Sequence, residues 1–151
     1  MPQENPEHLE FEDTTKFLMI IDESHRWLNT RKPQALESIT IYLREARKYF
    51  GGIMLASQSI RDYVPEGSGA EAIDDLKKIF ELTQYKFIFH QETNVLGLFD
   101  RIFENTVTQS QRDRIPKLEV GETILCISSD RNLEFKVHLT NEENRIFQGG
   151  V

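Results

Sequence analysis

Apolar residues fall along this chain in distinct rhythms. Phe17-Leu-Met-Ile-Ile21 is an unbroken run closed by adjacent acids, Asp22 and Glu23. A continuous run bounded by polar residues predicts a strand buried on both faces, in the middle of a parallel sheet. Between Pro33 and Phe50, the residues Leu36, Ile39, Leu43, Ala46 and Phe50 recur at three- and four-residue steps. That spacing predicts an amphipathic helix, with Pro33 in its first turn and Gly51-Gly52 ending it. Residues 53–56 predict a second strand, and the polar stretch that follows, with Pro65, Gly67 and Gly69, predicts a long, mobile loop. Ile73, Leu76, Ile79 and Phe80 predict a helix over 70–82, residues 85–89 a third strand, and Leu96, Phe99 and Phe103 a helix over 95–103. The last segment changes rhythm. Residues 122–127 and 133–139 read as two strands joined through 128–132, and Leu133, Phe135, Val137 and Leu139 alternate with Glu134, Lys136 and His138. This predicts a half-exposed antiparallel hairpin at a sheet edge.

Composition narrows the class without changing the layout. A chain of 151 residues is long enough for one domain with its own core. With 38% hydrophobic and 28% charged residues it has a soluble globular balance. A net charge of -7 argues against a surface that binds nucleic acid electrostatically as a whole, and leaves room only for a local basic patch. No apolar stretch approaches the roughly 20 residues that span a bilayer, and Met-Pro-Gln-Glu-Asn-Pro-Glu has neither the basic region nor the apolar core expected of a signal peptide. A cytoplasmic location is expected, or one peripheral to the inner face of the cell membrane through partners. Cys126 is the single cysteine, which excludes an internal disulfide, and its apolar setting predicts a buried strand residue. His8, His25, His90 and His138 show no paired ligand spacing, so they predict no histidine metal site.

The candidate chemistry starts at Asp22 and Glu23. Chain direction puts both at the carboxyl end of the first strand, where ligands bind in open α/β sheets. Phe17 to Glu23 looks like the Walker B element of a nucleoside triphosphatase, in which Asp22 would hold Mg²⁺ and Glu23 would orient or deprotonate the attacking water. The plainer alternative is a core strand whose acids begin a loop or cap a helix. Gln58 follows the second strand and would stand at the same sheet edge, where an amide can bond water or a γ-phosphate; otherwise it is a loop glutamine. Arg44, Arg47 and Lys48 share spacing that puts them on one helix face near its C-terminus. They form either a solvated charged face or a cluster from which an arginine reaches a γ-phosphate bound by a neighbouring subunit. A working site of this class also needs a phosphate loop, and the chain contains no Gly-x-x-x-x-Gly-Lys-Ser/Thr.

The ordered set resembles a family. Phe-Leu-Met-Ile-Ile-Asp-Glu, a helix ending Arg-Glu-Ala-Arg-Lys, and Gly-Ile-Met-Leu-Ala-Ser-Gln-Ser are similar to the C-terminal part of the ATPase domain in conjugative transfer and type IV secretion ATPases, the TraC-like proteins of the FtsK and HerA lineage. The stretch from Ile79 to Gln91 resembles their next strand region, and Leu118-Glu-Val-Gly-Glu-Thr-Ile-Leu with Phe135-Lys-Val resembles their closing hairpin. The resemblance implies an α/β fold, a partial RecA-like P-loop NTPase domain with a mainly parallel sheet, flanking helices and a C-terminal antiparallel hairpin. It also implies ATP and Mg²⁺ as cofactors, a homo-oligomer such as a hexamer, and partnership with other secretion or conjugation proteins. DNA is a possible partner that the charge does not support. By position, Asp22 and Glu23 match the Walker B acids, Gln58 the sensor glutamine, and Arg44 or Arg47 with Lys48 the basic motif that acts in trans. Residues 1–15 are expected to be a leader or a connection to an upstream part, residues 16–147 the C-terminal half of the domain, and 148–151 a tail. The 151 residues alone are expected to be inactive for want of the phosphate loop. Asp22-Glu23-Ser24-His25 also spells the acid box of DExH helicases, although Ala56-Ser57-Gln58 replaces their Ser-Ala-Thr. A non-catalytic docking module on a degenerate nucleotide-binding fold is the third alternative.

Overall fold

The computed structural model describes residues 15–127 and 131–146. The expected leader, apart from residue 15, the tail at 148–151 and positions 128–130 of the hairpin connection lie outside the described residues.

The apolar run becomes β1 (Phe17–Ile21). It pairs in parallel with β2 (Gly51–Leu55), in register from Phe17 opposite Gly51 to Ile21 opposite Leu55. Parallel neighbours need a crossover, and α1 (Pro33–Glu45) supplies it, with Pro33 in the first turn where its missing N–H costs nothing. The helix tightens into a 3₁₀ turn over Ala46–Tyr49 and is closed by Phe50 in the left-handed region, at φ 53°. The chain then enters β2 through Gly51, where a Cβ would sit 2.9 Å from the Tyr42 hydroxyl, itself bonded to the Gly52 carbonyl at 3.1 Å. Glycine at 51 therefore lets the helix end press against the strand it feeds.

α2 (Ala70–Leu82) packs beside α1, followed by β3 (Lys86–Ile88) and α3 (Leu96–Ile102). Leu36 of α1, Leu76 and Ile79 of α2, Phe99 of α3, Ile115 and Ile124 are each at most 2% exposed and form the centre of the core. A line of edge-on and tilted rings, Tyr63, Phe80, Phe103 and Phe99, runs through it with centroids 5.4, 5.0 and 4.7 Å apart. Part of the segment expected to be a long loop after β2 packs into the core. Ser59 caps a 3₁₀ turn over Ile60–Tyr63, accepting from the Arg61 N–H at 3.2 Å, and Ile60 and Tyr63 are buried in the core. Two large side chains three residues apart outweigh the surrounding Pro and Gly.

β4 (Glu122–Cys126) pairs antiparallel with β5 (Asn132–Lys136), which realises the closing hairpin. β3, expected to extend the parallel set, is hydrogen-bonded to β4 instead, so the described residues form one parallel pair and one three-stranded antiparallel sheet. α4 (Gln109–Arg114) and α5 (Asn141–Ile146) carry no apolar periodicity and depend on their starts. Thr108 and Gln111 form a reciprocal capping box, and Thr140 and Glu143 bond reciprocally in the same way. Among the described residues, no helix is long and apolar enough to cross a membrane.

Among the described residues, both sheets leave apolar surface open. Phe17, Leu18 and Ile20 of β1 are 58–64% exposed, against the expectation of a strand buried on both faces. The composition suits a central strand, but among the described residues β1 has hydrogen-bonded neighbours on one side only. Phe87, Leu133 and Phe135 likewise stand exposed on one face of the antiparallel sheet. Monomers seldom leave such patches uncovered.

Cys126 is the buried strand residue that its setting predicts. Burial pushes its thiol from an ordinary 9.0 up to about 11, opposed by the nearby Lys86 ammonium, which burial in turn lowers. The native chain is therefore expected to resist alkylation by iodoacetamide at pH 8 and to react fully once unfolded, which mass spectrometry would read. A raised folded-state value means that this contribution to stability is intact below pH 9 and is lost as pH climbs through about 11.

Candidate functional site

The parallel register brings the carboxyl ends of β1 and β2 side by side, and the chain crosses between them by three backbone-linked bonds. Ala56 N–H donates to the Ile21 carbonyl at 3.0 Å, Ser24 N–H to the Ala56 carbonyl at 2.8 Å, and the Ser24 hydroxyl to that same carbonyl at 2.9 Å. Between these anchors Glu23 is held in the left-handed region, at φ 48° and ψ 42°. For a residue with a long side chain this costs roughly 1 kcal/mol or more, and such strain is concentrated at functional sites.

That bend throws Asp22 outward and turns Glu23 toward β2. Asp22 is exposed, and its Oδ1 accepts the Glu23 N–H at 2.9 Å. Glu23 Oε1 accepts from the Gln58 amide at 2.9 Å, and its Oε2 lies 3.4 Å from His25 Nδ1. His25 Nδ1 in turn lies 3.0 Å from the Ser57 hydroxyl. Beneath this layer, the Tyr63 hydroxyl meets the Ser24 hydroxyl at 2.5 Å. Burial raises the Tyr63 pKa, while its hydrogen bonds to Ser24 and Ser57 pull the other way. Gln91, just beyond β3, fixes the far side: its Oε1 accepts from Ile60 N–H at 3.1 Å and its amide donates to the Gln58 carbonyl at 3.2 Å. The outcome is a carboxylate whose two oxygens are both engaged by side chains from this chain, anchored downward to a buried tyrosine.

No protein-family model matches the chain. An uncharacterized protein of Bacillus anthracis, pXO2-09, is 30% identical over 143 residues, which is 95% of this chain and 22% of that protein. The chain thus spans about a fifth of the length of the curated relative it matches. Among solved structures, VirB4 of Thermoanaerobacter pseudethanolicus superposes with a TM-score of 0.70 at 17% identity, over 87% of this chain and 34% of VirB4. The chain has the fold of part of a RecA-like α/β domain. The genome packaging NTPase B204 from Sulfolobus turreted icosahedral virus 2, solved in complex with AMP, superposes with a TM-score of 0.54 at 16% identity, over 81% of this chain and 53% of that one.

Within this RecA-like fragment the sequence-derived residues separate into two groups. Asp22, Glu23 and Gln58 converge at the carboxyl edge of the parallel pair. Arg44, at the end of α1, and Arg47 and Lys48, in the 3₁₀ turn before β2, lie at the opposite end of the same strands. Those three side chains are exposed and make no ion pair among the described residues. Five residues of parallel strand, about 17 Å, separate the two groups. Sequence reading did not place His25, Ser57, Tyr63 or Gln91 at this edge, because their contacts join segments more than thirty residues apart. The Ser24-His25 dipeptide after the acids was the available signal.

The donor set also decides what could bind. Among the described residues no cluster of three or more His, Cys, Asp or Glu side chains could cage a metal. One exposed carboxylate with an oxygen to spare, as at Asp22, fits a cation such as Mg²⁺ that keeps several waters and takes its other ligands from phosphate.

Proposed function

We propose that this chain is the C-terminal half of the ATPase domain, residues 16–147, of an ATP-hydrolysing motor that energises conjugative DNA transfer or type IV secretion. The observation that carries this reading is Gln58 donating to Glu23 beside Asp22, at the carboxyl edge of a parallel pair in a fold that VirB4 shares. In this assignment Asp22 holds the nucleotide's Mg²⁺ and Glu23 takes a proton from, or orients, the attacking water. Gln58 bonds Glu23 at rest and is positioned to bond water or phosphate instead when nucleotide is present. Bound Mg²⁺ supplies charge neutralisation at the phosphates. Arg44 or Arg47, with Lys48, serves a nucleotide held by a neighbouring copy, because none of them reaches the chain's own acids. The exposed apolar faces of β1 and of the antiparallel sheet are then surfaces that the rest of such a domain covers. The parent would be a homo-oligomer working with other secretion proteins at the cytoplasmic face of the membrane.

The test contrasts two polypeptides. The 151-residue chain alone is expected to hydrolyse no ATP, and a polypeptide joining it to a phosphate loop upstream is expected to turn ATP over in a Mg²⁺-dependent manner. Saturable Mg²⁺-dependent turnover by the pure chain would refute the assignment of half a site. A docking module that never hydrolyses ATP is favoured by the lack of a phosphate loop within these 151 residues. Inactivity of the joined polypeptide, with nucleotide bound, would select that reading.

A further inference from the structure

We propose that His25 is a positioning residue for Glu23, using a ring hydrogen on Nδ1 to hold the carboxylate in line with Ser57 and the buried Tyr63. The inference deepens the reading of Glu23 as the water-activating acid and rests on it for its consequence in catalysis, although the arrangement itself is a matter of geometry.

Three observations carry it. First, Nδ1 faces two groups at once, the Ser57 hydroxyl at 3.0 Å and Glu23 Oε2 at 3.4 Å. An ionised carboxylate only accepts hydrogen bonds, so an Nδ1 lone pair facing it would be repelled; the proton therefore belongs on Nδ1, donated to the Ser57 hydroxyl with the Glu23 carboxylate beside it at ion-pair distance. Secondly, the ring is itself constrained. It stands edge-on to Tyr63 with centroids 6.4 Å apart, and the Asn29 amide donates to the His25 carbonyl at 2.8 Å. Only 23% of the His25 side chain is exposed. Thirdly, the polar line continues into the core: Ser57 and Ser24 both engage Tyr63, which is 5% exposed.

The need for such a brace follows from the backbone. Glu23 occupies a strained left-handed position, and its side chain is only part-buried, at 29% exposed. Gln58, exposed and on a separate strand end, holds Oε1. When Gln58 leaves to meet a ligand, Gln58 no longer restrains the carboxylate, whereas His25 lies on the same short turn as Glu23 and stays with it. Two restraints of different permanence on the two oxygens allow Gln58 to move without loss of the acid's aim. Misplacement of a catalytic group by about 1 Å costs about a hundredfold in rate.

The experiment uses the 151-residue chain and reads the imidazole and carboxyl groups by NMR. Long-range ¹H–¹⁵N spectra are expected to show neutral His25 with its proton on Nδ1, whereas free imidazole side chains favour Nε2. Ser57→Ala together with Glu23→Gln is expected to return it to the Nε2 form. The Glu23 carboxyl ¹³C signal is expected to move toward that of exposed glutamates in His25→Ala and in His25→Gln. It is expected to stay near wild type in His25→Asn, whose amide can place an N–H where Nδ1 stood. A purely structural histidine would not give that rescue pattern. An Nε2 proton in the wild type, or a Glu23 carboxyl signal unmoved by His25→Ala, overturns the proposal. If His25→Ala does not fold, the wild-type tautomer and the Asn variant still decide it. Loss of the ATPase reading through an active Glu23→Gln motor would leave these NMR outcomes unchanged, so the two failures are distinguishable.

Discussion

Glu23→Gln, in a polypeptide that joins this segment to a phosphate loop, is expected to lower ATP turnover by about 10²–10⁴-fold, the usual contribution of a positioned general base. The substitution keeps the size of the side chain and its left-handed backbone, and removes the charge that attracts a water proton. In free energy that loss is about 3–5 kcal/mol of transition-state stabilisation. Nucleotide affinity is expected to be nearly unchanged, because Asp22, not Glu23, is assigned to the cation, and because an amide at 23 can still pair with Gln58 at the strand end. Phosphate release and equilibrium binding of a fluorescent ATP analogue, measured on the same preparation, separate the two effects. Equal turnover in variant and wild type would remove Glu23 from the catalytic role.

Tyr63→Ala is expected to be the most damaging single change to stability near the site, at about 3–5 kcal/mol for truncating a buried aromatic. Tyr63 stacks edge-on against Phe80, pins the segment after β2 to the core, and closes the hydroxyl line under Glu23. Tyr63→Phe keeps the ring and removes only the hydroxyl, while Ser24 retains the Ala56 carbonyl as a partner; its cost is expected to be about 1 kcal/mol. For a chain of this size each kcal/mol lowers the melting temperature by about 2–4 °C, so thermal unfolding resolves the two variants. Equal losses would mean that the hydroxyl, rather than the ring, carries the stabilisation.

The elements with a clear period were legible from the sequence. Leu36, Ile39 and Leu43 gave α1, and Ile73, Leu76 and Ile79 gave α2, because a 3.6-residue repeat needs no knowledge of the partner it packs on. The hairpin was legible from its two-residue alternation in the same way. What failed was whatever depended on a neighbour. The burial of β1 was inferred from its composition, yet burial belongs to the layers around a strand and not to the strand itself. The segment after β2 was read from its Pro and Gly residues, although Ile60 and Tyr63 pin it to the core. α4, only six residues long and without an apolar face, was announced only by Thr108 and Gln111, three apart. At the site, the adjacent acids were plain in the chain and the glutamine after β2 was found by counting strands. The His25–Ser57 contact was invisible, since it exists only once the parallel register lays two loops together.

That register has one more consequence. The acids stand at one end of β1 and β2 and the cations of residues 44–48 at the other, so one copy cannot bring both to a single phosphate. On the proposed reading, Arg44, Arg47 or Lys48 would meet a nucleotide at such acids across a boundary between copies, with unlike surfaces facing each other. A two-fold dimer, which matches a patch to itself, does not repeat that head-to-tail contact around an assembly. Copies joined in this way either close into a ring or continue as a helical filament, and the angle between neighbours alone decides which.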